Sequence, residues 1–187
     1  MLLNRRTLLQ AGAALSLGQA RAESEPQLDP VPPLPQTPTQ GRPGDFDFLA
    51  GQWRIDNLRR TAEGWDRFEG ESTCWTILGG VGSVEELRIP ARQFAGMGLR
   101  LLDVEKRQWM DHWVNAKSGA LGAAGQPGSF ENGAGLFSSV DESSGKPVIW
   151  VGIWDQITPS SCRWRQASSA DGGKTWVHDW LMHWRRR

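Results

Sequence analysis

The chain has 187 residues, with 11 Trp, no Tyr, 22 Gly and equal numbers of acidic and basic side chains, so its formal net charge is zero. That balance leaves no electrostatic footprint for nucleic acid or an anionic membrane, and no apolar run reaches the roughly 18 residues of a transmembrane helix. The expectation is a soluble, strand-rich domain long enough to bury a core without metals or disulfides.

The N-terminus carries an address. Asn4-Arg5-Arg6-Thr7-Leu8-Leu9-Gln10 looks like a twin-arginine export signal: a polar residue, two arginines, two large apolar residues and a polar one. A short apolar stretch from Ala11 to Gly18 follows, and Ala20-Arg21-Ala22 has the form of a cleavage site. Residues 1–22 are therefore expected to be a signal peptide read by the twin-arginine machinery. The mature protein would be periplasmic or secreted, with no stable membrane insertion after cleavage. Seven of the Pro residues fall between Pro26 and Pro43, so 23–44 is expected to be a disordered, extended linker.

Residues 45–187 read as the folded domain. Runs rich in Trp, Ile, Val and Thr alternate with turn-forming residues. The expected strands are 52–60, 65–77, 83–89, 96–103, 108–115, 130–140, 147–157, 161–168 and 175–185. The Gly- and Ala-rich stretch 116–129 reads as a longer loop. No segment keeps a 3.6-residue apolar period. Nine short strands in an open sheet would leave exposed edges, so closure into an antiparallel, up-and-down barrel is expected. Cys74 and Cys162 form a disulfide if their strands are neighbours and are otherwise two buried thiols.

Strand alternation places Trp109 and Trp113 on one face with Asp111 between them. Trp150 and Trp154 share a face, as do Trp164 and Gln166. Trp176, Trp180 and Trp184 form a row interleaved with His178 and Met182. Trp65 and Trp75 form another, with Arg67, Glu69 and Glu71 between them if no bulge intervenes. The opposite face of 147–157 carries Ile149, Val151 and Ile153 and is just as apolar, so that strand does not settle which face is inside. The rings either fill a dry core or line a cup. Polar groups among them favour the cup, because buried charges need partners. A ligand site is accordingly expected from Trp109, Asp111, Trp113, Trp154, Trp164, Gln166, His178 and Trp180, for a small apolar or aromatic molecule.

The alternative is a metal-independent isomerase, lyase or hydrolase on the same barrel, with His178 or Asp111 as general base. A third reading is an envelope interaction protein working through the Pro-rich segment and exposed Trp. No His spacing suits a metal or haem, and no phosphate-binding or dinucleotide motif occurs. No metal and no cofactor is expected. Glu85 and Glu86 point to opposite faces and are no acid/base pair. Ser169-Ala170-Asp171-Gly172-Gly173-Lys174-Thr175-Trp176 resembles the Asp-box of sialidases. It occurs once, without the repeats of a propeller, so Asp171 is read as the former of a hairpin turn.

Asp45-Phe46-Asp47-Phe48-Leu49-Ala50-Gly51-Gln52-Trp53 resembles the F-D-F-x-x-G-x-W opening of small, uncharacterised bacterial calycin-like proteins with lipocalin-type barrels. The stretch from Ile149 to Trp154 and the Trp-rich C-terminus are similar to that group as well. The resemblance covers about 45–187 and implies a single calycin-like β-barrel of about 8–10 strands with an interior pocket. It assigns Gly51 and Trp53 a structural part at the closed end of the barrel and supplies no catalytic residues.

Overall fold

The structure, a computed structural model, describes residues 26, 28–34, 40–121, 124–142 and 145–187; the export signal expected over 1–22 lies outside the described residues. The domain is all-β. Ten strands follow one another: β1 (Gly51–Thr61), β2 (Gly64–Ile77), β3 (Gly82–Ile89), β4 (Phe94–Asp103), β5 (Gln108–Asn115), β6 (Gln126–Glu131), β7 (Ala134–Asp141), β8 (Val148–Asp155), β9 (Ser161–Ser169) and β10 (Val177–Arg186). Each pairs antiparallel with the next, and β10 returns to β1, so the sheet closes into an up-and-down barrel. Closure removes the free edges that so many short strands would otherwise expose.

The single strand expected over 130–140 is instead a hairpin. Asn132 and Gly133 both take left-handed φ, 51° and 79°, as a two-residue type I′ turn requires. β6 therefore begins inside the stretch read as a loop, and the barrel has one strand more than the sequence pattern suggested.

One end of the barrel is filled by aromatic rings. Phe46 stands edge-on to both Trp109 and Phe130, with centroids 4.9 Å apart in each case. Gly128 sits opposite Phe137, where a Cβ would lie 2.6 Å from that ring, so only Gly lets the ring lie down. Trp53 is fully buried and donates its indole N–H to the Leu49 carbonyl at 2.7 Å. Arg186 lies over the Trp53 ring at 4.3 Å and donates to the carbonyls of Phe48 and Ala50. The residues before β1 are thereby clamped to the last strand, and Trp53 seals this end.

Alternation fails at one place that matters. The β9–β10 register shifts between His178 and Trp180, a bulge with Asp179 as the extra residue. Trp180, Met182 and Trp184 face inward, but His178 is turned to the outer side. Trp176 also packs outside, against Leu136, Val151, Ile153 and Ala167. The Trp65 and Trp75 row faces outward too: the β2 residues between them alternate with the buried Ser72 and Cys74, and Glu71 pairs with Arg88 on the outer surface. The expectation that His178, Trp176, Glu69 and Glu71 share the interior face is corrected by the bulge and by the phase of β2.

The apolar outer face of β8 is covered by the chain itself. Val31 and Leu34 pack on Val151, Ile153 and Ala167. Asp29 binds Arg163 at 2.6 Å, and Arg165 donates to the carbonyls of Asp29 and Pro30. Residues 28–34, within the Pro-rich segment, thus lie on the barrel as a strap, which explains why both faces of β8 are hydrophobic. Cys74 and Cys162 are both buried free thiols; burial pushes the Cys74 thiol up to about 12.

The strap yields a test. Replacing Val31 and Leu34 together by Asp is expected to lower the unfolding free energy by about 1–3 kcal/mol through lost apolar burial, and to speed hydrogen exchange at Val151 and Ile153. Unchanged exchange at those amides would show that the strap does not cover β8 in solution.

Candidate functional site

The aromatic plug fills only one end of the barrel. Beyond it lies a cavity of about 470 Å³, within the range that holds a small organic molecule. Its wall sets flat aromatic rings beside the polar side chains of Gln126, Ser139 and Gln166. Trp164 stands edge-on to Trp180 at 6.0 Å, and Phe94 stacks on Trp113 at 6.0 Å with planes only 7° apart. Gly96 provides the room for Trp113, since a Cβ there would lie 2.3 Å from its ring. Trp180 is held by a 3.0 Å hydrogen bond from its indole N–H to Asn57, and Arg59 lies over its outer face at 5.1 Å.

The floor carries charge. Glu85 of β3, Arg100 of β4 and Asp111 of β5 all point inward, and Arg100 and Asp111 are directly opposed across the β4–β5 ladder. Arg100 binds Glu85 at 2.5 Å, both side chains being about 95 % buried. It pairs with Asp111 at 3.5 Å. Gly98 leaves space for this pair: a Cβ there would meet Arg100 and Glu85 at 3.0 Å. The guanidinium also lies 5.2 Å from the Phe46 ring and 5.3 Å from the Trp154 ring, a cation–π position.

Burial disfavours the charge on Arg100, but Asp111 and Glu85 more than offset it and push its pKa up. The Asp111 carboxyl is pushed up by burial, with Glu85 adding repulsion and Arg100 and His112 opposing the shift. Several buried donors here make no hydrogen bond within the protein: Nε and Nη1 of Arg100 and the indole nitrogens of Trp154 and Trp184.

Of the residues expected from sequence to form the site, Asp111, Trp113, Trp154, Trp164, Gln166 and Trp180 all line this cavity. Trp109 does not. It belongs to the plug, fully buried, with its indole N–H donating to Asp45 at 3.0 Å. His178 does not either. It lies outside the barrel under the strap, bonded to the Asp29 backbone, and burial followed by Arg165 and Arg163 pushes its pKa down. It does not meet Asp111. Asp171 accepts bonds from the backbone N–H groups of Lys174 and Thr175 at 3.0 and 2.9 Å, and so shapes the β9–β10 turn. Sequence reasoning missed Arg100 and Glu85. The signal was present as the alternation Gly96, Gly98, Arg100, Leu102 in β4, where two glycines precede an inward arginine.

No protein-family model and no curated protein matches the chain. Among solved structures, the barrel is similar to an S-type phycobiliprotein lyase, CPES, from Guillardia theta, with a TM-score of 0.51 and 9 % identity over 76 % of this chain and 90 % of that one. A protein of unknown function from the DUF3598 family of Nostoc punctiforme gives a TM-score of 0.43 and 13 % identity over 79 % of this chain and 51 % of that one. The first likeness concerns the fold alone.

The buried carboxyl of Asp111 has a consequence for pH. Its folded value lies above the ordinary 3.8, so the folded state binds its proton more tightly. Its contribution therefore falls as pH rises from about 4 through the folded value, and then levels off. Asp111→Asn removes that slope. The gain of Asp111→Asn over wild type in urea unfolding should grow between pH 4 and 7; a constant difference would mean that Asp111 titrates normally.

Proposed function

We propose that the chain is an exported binding protein whose barrel takes up a small, flat, apolar or aromatic molecule. The observation that carries this is the aromatic cavity itself, with Trp113, Trp164 and Trp180 in its wall, Gln126, Ser139 and Gln166 among them, and a buried charge cluster at its floor. Such an arrangement suits a ligand with a broad apolar face and a polar end, since the wall supplies area and the few polar groups set orientation. A barrel of this shape serves a phycobiliprotein lyase elsewhere. At this identity that is company in fold, and the reading for this chain rests on its own side chains.

A second reading keeps the same cavity and makes it an enzyme site, with Asp111 as acid or base. It is favoured by one feature, the raised Asp111 carboxyl facing the cavity. With His178 outside the barrel, Asp111 is the remaining candidate named from sequence.

Export is part of the proposal and rests on Arg5-Arg6 and the Ala20-Arg21-Ala22 site. Replacing both arginines by lysine should leave the precursor in the cytoplasm on cell fractionation. Periplasmic recovery at the wild-type level would argue against the twin-arginine route.

Binding is tested by titrating the purified barrel with a panel of uncharged polycyclic aromatics while following Trp fluorescence. Saturable quenching with one site is expected. Trp164→Ala and Trp180→Ala should each weaken it about tenfold, the loss of a stacked ring face being worth about 1–1.5 kcal/mol. Trp75→Ala, on the exposed outer surface, should leave it unchanged. Equal effects at Trp75 and Trp164 would place binding on the outside.

A further inference from the structure

The floor of the cavity has a definite hydrogen-bonding polarity. Arg100, Trp154 and Trp184 all line the cavity, and each is at least 95 % buried. They are packed together: Arg100 lies 5.3 Å from the Trp154 ring, and the Trp154 and Trp184 rings are 5.4 Å apart. Arg100 Nε faces Asp111 at 3.5 Å; the polar atoms these three leave without a hydrogen bond or ion pair are Nη1 of Arg100 and the two indole nitrogens, all N–H donors. A buried donor left unbonded costs about 1–3 kcal/mol, so the complementary ligand brings acceptors to this end.

The charge of the floor decides what kind of acceptor. Arg100 is the cation buried at this end, and it already faces two carboxyl groups, Glu85 at 2.5 Å and Asp111 at 3.5 Å. The two indole donors are neutral. A carboxylate ligand would bring a third acidic group to a guanidinium that is already compensated, inside a low-dielectric barrel where uncompensated charge is expensive. A carbonyl oxygen satisfies the same donors and adds no charge.

We propose that the deep end of the cavity is a subsite for a neutral carbonyl oxygen on a flat, conjugated ligand, with the oxygen accepting within the donor set formed by Arg100 and the indole N–H groups of Trp154 and Trp184. The class is that of aromatic ketones, quinones and lactams. The inference rests on the small-molecule reading above and deepens it: the Trp wall selects a planar body, and the floor selects a neutral acceptor over both a hydrocarbon and an acid.

Three probes of nearly equal shape separate these terms: 9-fluorenone, fluorene and fluorene-9-carboxylate, each measured by equilibrium dialysis at pH 7.5. Fluorenone is expected to bind at least tenfold more tightly than either of the others. Trp154→Phe with Trp184→Phe keeps the ring faces and removes both indole donors, and should cut the preference for fluorenone over fluorene to about threefold or less. Trp184→Phe alone repeats the comparison if the double variant loses its urea transition. Asp111→Asn should raise carboxylate affinity about fivefold relative to fluorenone. Equal binding of fluorene and fluorenone would overturn the carbonyl subsite while leaving the cavity as a ligand site. Tightest binding of the carboxylate would overturn the neutral-acceptor assignment. Failure of all three probes to bind would remove the small-molecule reading, and this inference with it.

Discussion

Closing ten strands into one ring fixes how much space lies inside and which side chains must fill it. Every second residue of each strand points inward, and ten strands enclose more volume than ordinary aliphatic side chains fill. The unusual composition answers that constraint. Phe46, Trp53, Trp109, Phe137, Trp154 and Trp184 are all at most 2 % exposed and fill the closed end. Glycines on facing strands, such as Gly128 under Phe137, let the rings lie against the wall without displacing backbone. Arg186 then ties the residues before β1 to β10, so that closure of the sheet and sealing of the end are one event.

The open end follows the same geometry with different contents. There the inward positions hold Asp111, Gln126, Ser139 and Gln166 beside Phe94, Trp113, Trp164 and Trp180, and a cavity remains. The charged side chains at its floor could not survive in such a place singly. Arg100 is tolerable because Glu85 and Asp111 flank it, and because Gly98 makes room for the contact. A buried charge cluster of this kind is weak evidence of stabilisation, since a hydrophobic replacement is often as stable. It is better understood as a fixed polar landmark at the bottom of an apolar cup, which gives a bound molecule a direction.

Much of this was legible in the chain because a strand reports its two faces directly. The G-x-W opening, the run of turns and the alternation in 108–115 carried the barrel and most of the cavity wall. What alternation could not show was any place where its period changes. The bulge at Asp179 turned His178 and Trp176 to the outside, and nothing in the local residue types marks that extra position. Asn132-Gly133 was the opposite case, a strong hairpin signal hidden within an apolar run that read as one strand. Trp109 has the same inward phase as Trp113, but its height along the barrel sends it into the plug; depth is not encoded in periodicity. Nor is the covering of an outer face. Ile149, Val151 and Ile153 left open from sequence which face of β8 is inside; Val151 and Ile153 are buried on the outer side because residues 28–34 fold back over β8.

The central claim is that the interior is half plug and half cup, and that the cup is open to a small aromatic molecule. The most direct measurement is a crystal of the protein exposed to bromobenzene and collected at the bromine absorption edge. The account predicts one strong anomalous peak between Trp164, Trp180 and Met182, with the plug around Phe46 and Trp109 unchanged. A barrel whose Trp side chains have closed over that space, with no bromine inside, would contradict it.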